Sequence, residues 1–383
     1  MSKYSVEAYG RMIRDDLRMT AYHEALQQAI QPGDVVIDIG TGTGIHALLA
    51  CQLGASKVYA IEPAKAIEVA KETAKANGYS DRIQFIQDIS TNLIFPEKAD
   101  VIISDLHGVM PWYHQHIPSL IDARQRLLKP SGCLLPEEDR LWGGIVQADE
   151  LYNSYVQPWN ETHYGFNLQA GIKVMTNSWG RGRAEKDQFL TASRHWHTLN
   201  YHTVSDPNLN ATLSWEVEKA GTGHGMMLWF DTTVIPGVTL TSAPYEPEIA
   251  YGSAFFPWSE PVSLEKGDRI EVQLRADLTG QSYTWSWQTV IYSADTTNQK
   301  KKHFQQSTFY SQLLSLSKLK KRASTYQPKL SAEGKIDREI LHQMDGRNTL
   351  EAIASTVQAH FPEKFSNHQQ ALQHVQELSE IYG

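Results

Sequence analysis

The sequence predicts an α/β nucleotide-binding domain, then an all-β domain, then a small helical module. Three observations carry this expectation. Apolar strand-like runs alternate with helix-spaced segments up to residue 139, short alternating segments broken by Gly, Pro, Asn and Asp follow, and three helix-spaced apolar sets close the chain. Strands alternating with helices assemble into an open, mostly parallel sheet, whereas short strands with frequent turns make a sandwich or barrel.

Composition narrows the class. At 383 residues the chain is long enough for two or three domains. A net charge of −8 argues against nonspecific nucleic-acid binding, although Lys300-Lys301-Lys302 and Lys318 to Arg322 are locally basic. No apolar run is long enough to span a bilayer and the N-terminus lacks a signal-peptide core. Two cysteines, Cys51 and Cys133, exclude a disulfide scaffold and make a cytoplasmic location the default.

In the first thirty residues, Tyr9, Met12, Ile13, Leu17, Met19, Tyr22, Leu26 and Ile30 keep helical spacing, and Pro32-Gly33-Asp34 ends the helix. A helix placed here can fold over a ligand. Arg18 within it can either grip a carboxylate of that ligand in a two-pronged pair or make a surface pair with an acidic neighbour.

Val35-Val36-Ile37-Asp38-Ile39-Gly40-Thr41-Gly42-Thr43-Gly44 reads as a strand and a glycine turn opening the helix from Ile45 to Gly54. Glycines there admit positive φ and let a ligand lie on the backbone, before the free N–H groups of the helix. The next strand, Lys57 to Ile61, delivers Glu62, placed to accept from both hydroxyls of a ribose. The spacing is Gly-x-Gly-x-Gly with Asp38 just before it, not the dinucleotide Gly-x-Gly-x-x-Gly, and Asp38 is suited to an ammonium rather than a pyrophosphate. This pattern resembles the first motif of class I S-adenosylmethionine (SAM) methyltransferases.

A third strand, Arg82 to Asp88, ends in Asp88, placed to accept from an adenine amino group or simply to start a turn. After the fourth strand, Ala99 to Ser104, comes a loop of unusual content, Asp105-Leu106-His107-Gly108-Val109-Met110-Pro111-Trp112-Tyr113-His114-Gln115-His116. It leaves the carboxyl end of a strand, the edge at which such sheets bind ligands. Ile117 to Leu128 reads as a helix, and Lys129 to Gly132 as a turn. Beyond Arg140 the β segments are Leu141 to Gln147, Ala211 to Glu216, Met226 to Thr233, Arg269 to Leu274 and Tyr283 to Ile291.

A SAM-type domain followed by a β domain resembles the protein arginine methyltransferase family over about residues 4 to 293. The matching stretches are Met12 to Arg18, Val35 to Glu62, Ala99 to Asp105, Ala123 to Gly132 and Tyr164-Gly165-Phe166. The resemblance implies SAM as cofactor, with Arg18, Asp38, Gly40, Thr41, Gly42, Gly44, Glu62 and Asp88 as its contacts. It also implies a β-barrel over 140–293, a dimerisation arm at about 170–202, and a homodimer.

The family holds a guanidinium between two glutamates of one loop, and this chain departs from that pattern. The two positions read Asp105 and His114, and the family's Thr-His-Trp segment is replaced by Ile249-Ala250-Tyr251. A guanidinium asks for two coplanar acceptors, which an aspartate and a histidine supply poorly. A neutral imidazole suits a less basic nucleophile such as a hydroxyl, imidazole or amide. The expected catalytic residues are His114 as general base and Asp105 as its orienting or substrate-binding partner, with His107 and His116 in reserve. Trp112, Tyr113, Tyr251, Phe255, Phe256 and Trp258 are candidates for walling the pocket. His107, His114 and His116 match no established zinc spacing, so no metal is expected.

Residues 294–325 have linker composition, and 326–383 regain a core pattern. Met344 to Ile353, with Asp345-Gly346-Arg347 and Thr349 as a helix cap, resembles the core of PqqD-like domains, which hold leader peptides of ribosomally made, modified peptides. Such domains add the leader as a strand to a small sheet, which only Tyr326 to Ser331 could supply here. The expected activity is SAM-dependent methylation of a side chain in a precursor peptide or protein. Methylation of a small molecule on oxygen or nitrogen, or a pseudoenzyme that keeps SAM as a ligand, are the alternatives.

Overall fold

The computed structural model describes residues 5–383 except 163, 295–298, 313, 314, 316, 318, 319 and 322. The chain forms two compact units, Met1–Gln312 and Leu313–Gly383. The basic stretch Lys318 to Arg322 and the helix expected up to Leu319 lie partly outside the described residues.

The single N-terminal helix predicted from spacing is two. α1 (Val6–Ile13) has no buried residue, and α2 (Asp16–Ala29) buries Arg18, Ala21, Tyr22, Ala25 and Leu26. Asp15 separates them because its carboxylate caps α2, accepting the Arg18 N–H at 3.1 Å. Its other oxygen accepts the Ala250 N–H at 2.6 Å, which ties the helix start to the β domain.

β1 (Val35–Ile39), α3 (Ile45–Gln52), β2 (Lys57–Ile61), α4 (Ile67–Ala76), β3 (Ile83–Ile86), β4 (Ala99–Ile103), α5 (His116–Arg126) and β5 (Leu128–Leu135) build the first domain. Its parallel sheet has the order β3-β2-β1-β4-β5. β1 and β4 are buried almost throughout, as strands covered on both faces must be. The chain reverses direction across the sheet between β1 and β4, so the loops after those strands open into the crevice where doubly wound sheets bind ligands. β5 starts at Leu128, so Lys129 to Gly132 is strand rather than turn.

The β domain has two antiparallel sheets. The first contains β6 (Glu138–Val146), β7 (Gly180–Gly182), β8 (Arg194–Asn200), β10 (Gly221–Ile235), β11 (Val238–Thr241) and β12 (Ser253–Leu264). The second joins β9 (Leu209–Glu216), β13 (Arg269–Thr279), β14 (Ser282–Tyr292) and β15 (Lys300–Ser307). β15 falls in the stretch expected from composition to be linker, since its exposed positions are Lys, His and Gln. Its pairing with β14 and the burial of Phe304 and Gln306 make it part of the barrel. Much of the stretch expected to be an arm is also barrel, since β7 pairs with β12 and β8 with β6. The segment that leaves its aromatics in solvent is the connection between α6 (Asp149–Asn160) and α7 (Ala170–Thr176), with Tyr164 98% and Phe166 68% exposed.

In the second unit, α8 (Ala332–Gln343), α9 (Leu350–His360) and α10 (His368–Tyr382) bury Ile336, Ile340, Ile353, Val357, Phe365, Val375 and Leu378 against one another. Ser331, Thr349 and Asn367 cap them. Leu341, Leu350 and Ile381, expected in this core, are exposed. Residues 326–331 carry no strand, and no strand occurs among the described residues of this unit. The sheet edge expected for strand addition is therefore not there. Among the described residues of the whole chain, no helix is long and apolar enough to cross a membrane.

Candidate active site

The turn after β1 is set by its glycines. Gly40, Gly42 and Gly44 have φ of 77°, 55° and 90°, where a β-carbon is strained. A Cβ on Gly40 would meet the Leu106 side chain, and one on Gly42 the ring of Tyr9 from α1. The turn thus sits tightly between the loop after β4 and the N-terminal helix. It borders a cavity of about 300 Å³ lined also by Thr41, Glu62, Asp88, Ser90, Arg18, Asp105, His107, His114, His116 and Gln281.

Glu62 ends β2 and faces this cavity. Its carboxylate accepts the N–H of Gly42 at 3.1 Å and of Ala64 at 2.8 Å, while burial raises its pKa against those bonds. Asp88 accepts from the Ile89 N–H and from Asn92, and still borders the cavity. Asp38 is placed differently from its expected role. It does not line the cavity, and its carboxylate accepts the Thr41 hydroxyl at 2.5 Å, bracing the turn from behind. Burial pushes Asp38 up to about 7, against the Thr41 and Ala47 hydrogen bonds.

The loop after β4 starts a buried ionic chain. Both Nε and Nη2 of Arg18 donate to Asp105 Oδ2, the first at 2.7 Å, and Nη1 donates to the Met12 carbonyl at 3.0 Å. Arg18 is therefore a buried partner of Asp105, not a surface pair. Tyr251 donates to Asp105 Oδ1 at 2.6 Å, and His107 Nδ1 lies 3.4 Å from the same oxygen. Burial alone would raise Asp105, but Arg18 and His107 hold it well below the carboxylate range. His107 Nε2 lies 2.9 Å from Asp139 Oδ2. Burial works against its charge, yet Asp139 and Asp105 together raise it to about 9, so His107 is a cation at neutral pH.

The three loop histidines therefore differ. His107 is a charged link between two acids. His114 is half-buried at a left-handed φ of 44°, its Nδ1 3.2 Å from the Gln281 carbonyl at the β13–β14 turn. His116 is buried, with Nε2 2.9 Å from the Tyr201 hydroxyl. The histidines brought together are His107 and His116, joined by Asp139, with ligand atoms within 4.8 Å of one another; His114 is not among them.

Of the aromatics expected to wall the pocket, only Tyr113 lines the cavity. Trp112, Phe255, Phe256 and Trp258 are core residues, and Tyr251 acts through its hydroxyl on Asp105. Sequence reasoning gave no role to Asp139, Tyr201, Ser90 or Gln281. Asp139 alone left a signal, an acid at an inward-facing position of β6 two residues before buried Leu141.

Residues 21–136 match the family described as ribosomal protein L11 methyltransferase (PrmA), and residues 144–322 the arginine methyltransferase oligomerization subdomain. The chain is 35% identical over 207 residues to protein arginine N-methyltransferase PRMT10 of Oryza sativa subsp. japonica, covering 50% of this chain and 53% of the relative. It is 28% identical over 291 residues to protein arginine N-methyltransferase 6 of Xenopus laevis, covering 72% and 82%. The chain spans about half the length of the rice relatives it matches. Arabidopsis thaliana protein arginine methyltransferase 10, solved in an open conformation, superposes with a TM-score of 0.68 at 24% identity, covering 79% of this chain and 97% of that one. The Trypanosoma brucei PRMT1 enzyme-prozyme complex with AdoHcy gives 0.70 at 21%, covering 80% and 98%.

The residues present fit SAM. The glycine turn can cradle it, Glu62 faces the cavity where a ribose would lie, and buried Ser90 Oγ, with no partner among the described residues, stands beside Asp88 where an adenine would need polar contacts. By sequence the chain is similar to protein arginine methyltransferases, and its fold is that of a SAM-dependent methyltransferase followed by a β domain.

Proposed function

We propose that this protein is a SAM-dependent methyltransferase that methylates a peptide or protein side chain through an uncharged nucleophile. The observation that carries the reading is the closed state of the first acceptor-loop carboxylate. Both oxygens of Asp105 are taken by Arg18, Tyr251 and His107, and the second position is an imidazole. A substrate guanidinium would need two free acceptors and would sit beside the His107 cation, whereas a hydroxyl, imidazole or amide needs neither. Gly40, Thr41, Gly42, Gly44, Glu62 and Asp88 are assigned to the cofactor, with Asp38 bracing the turn. Arg18 orients Asp105 and can share its guanidinium with the methionine carboxylate. An imidazole of the loop, half-exposed His114 or buried His116, takes the acceptor's proton.

The helical unit is assigned to holding the substrate peptide. Its separate core and the Asp345-Gly346-Arg347 turn support this, as does the value of a tether in raising effective concentration. Binding would use helix faces, not an added strand. A homodimer is supported by the match to an oligomerization subdomain and by exposed Tyr164 and Phe166.

Methyl-labelled SAM, incubated with the protein and a cell extract, should place one methyl on a peptide side chain other than arginine, read by mass spectrometry. Label confined to arginine would overturn the acceptor class. Label found only in small metabolites would overturn the peptide. Failure to bind SAM would overturn the whole reading.

A further inference from the structure

The hydrogen bonds around His116 leave one atom without a partner. His116 opens α5, is 1% exposed, and lines the cavity together with Gly40, Asp105 and His114. The Tyr201 hydroxyl has a single proton and donates it to Asp139 Oδ2, so in the 2.9 Å contact with His116 the tyrosine oxygen must accept. His116 therefore donates from Nε2 and, when neutral, keeps a lone pair on Nδ1. That Nδ1 has no hydrogen-bond partner among the described residues. An unpaired buried acceptor costs about 1–3 kcal/mol, so its retention points to a donor that arrives with a ligand.

The rest of the network fixes this tautomer. Asp139 cannot turn away, because Thr232 donates to its Oδ1 at 2.7 Å and His107 to its Oδ2 at 2.9 Å. Burial, and after it the His107 cation, hold the His116 imidazole well below its ordinary pKa; Asp105 opposes them without prevailing. The ring is thus neutral and oriented before any substrate enters. His114 lacks this support, being half-buried, with Nδ1 beside one backbone carbonyl and its ring edge-on to Tyr113.

We propose that His116 Nδ1 accepts the proton of the methyl acceptor, with Tyr201 and Asp139 as positioning residues. The assignment rests on the methyltransferase reading above. As the acceptor's X–H bond breaks, its electron pair forms the bond to the methyl carbon. The carbon–sulfur pair returns to sulfur, and the proton passes to Nδ1, to leave later for solvent. A cation vanishes at sulfur as one appears on the imidazole, so the net charge of the buried site is unchanged. That exchange offsets the cost of charging a buried ring beside His107.

The test is ¹⁵N NMR of the full-length protein with labelled imidazoles, paired with calorimetry and transfer assays. His116 should show the Nε2–H form with Nδ1 unprotonated, and should not titrate in the ordinary imidazole range. Tyr201→Phe, which keeps the ring packing, should let the Nδ1–H form appear. His116→Gln should lower methyl transfer from labelled SAM into a cell extract by ~100-fold or more. Its affinity for S-adenosylhomocysteine should stay within about threefold of the parent, well below the tenfold that 1.4 kcal/mol represents. A proton on Nδ1 in the free protein overturns the assignment, and so does undiminished transfer by His116→Gln. If the parent protein does not bind S-adenosylhomocysteine, the methyltransferase reading fails instead, and the ring-state result separates the two.

Discussion

Arg18 and Asp105, 87 residues apart in the chain, form a two-pronged ion pair with side chains only 7% and 6% exposed. It joins the N-terminal helix to the acceptor loop, and Tyr251 extends it to the β domain. Breaking such a pair strands a buried charge, which costs far more than the pair itself contributes. Asp105→Ala should therefore lower unfolding stability by about 3–5 kcal/mol in chemical denaturation. A loss under about 1 kcal/mol, the range of exposed pairs, would mean that the guanidinium finds water and that the site is more open than described.

The same pair bears on acceptor choice. His114→Glu supplies a carboxylate at the second position of the loop, but leaves Asp105 committed to Arg18 and Tyr251. A guanidinium would then find one acceptor, not two. The variant should not methylate arginine in an arginine- and glycine-rich peptide, assayed by mass spectrometry. Arginine labelling by this single substitution would show that Asp105 is free to bind substrate.

His107 makes stability depend on pH in an identifiable window. Its folded pKa, about 9, lies above the ordinary 6.5, so between these values the native state holds a proton that the unfolded chain has released. The contribution is complete below about pH 6.5 and is lost as pH rises through 9. Integrated, that is ~3 kcal/mol at most. Denaturation midpoints should fall between neutral and mildly alkaline pH, and His107→Gln should flatten the slope. An unchanged slope in the variant would place the titrating group elsewhere.

The fold was legible because its signals are local. β1 and its glycine turn, β4 and its loop, and the alternating segments of the β domain follow from period and turn chemistry. β15 was not legible, since its outward residues are polar and only pairing with β14 reveals it. The site divides the same way. Glu62 and Asp105 are at strand ends, where topology alone places them. The partners of His116 are not near it in sequence: Tyr201 is 85 residues away, and Asp139 reaches it through Tyr201. Spacing does not show which histidine is buried. Residues 107, 114 and 116 look alike in a loop, and only the packing against β6 and Tyr201 separates a cation, a rim residue and a neutral base.

Asp38 and Glu62 are the two acids that bracket the glycine turn, and the geometry assigns them different work. Glu62 faces the cavity, whereas Asp38 lies behind the turn and accepts from Thr41. Glu62→Gln removes a charged acceptor from the side of the cavity proposed for the ribose, worth about 1.5–3 kcal/mol, so S-adenosylhomocysteine should bind roughly 10- to 100-fold more weakly by calorimetry. Asp38→Asn keeps an oxygen for Thr41 and should change that affinity little. Its effect should appear in stability instead. With a folded pKa of about 7 against an ordinary 3.8, Asp38 holds its proton longer in the native state, so stability declines as pH rises between those values. The Asn variant should lack that decline. Should Asp38→Asn weaken the ligand as much as Glu62→Gln does, Asp38 would be touching it, and the turn must open further on binding than the structure describes.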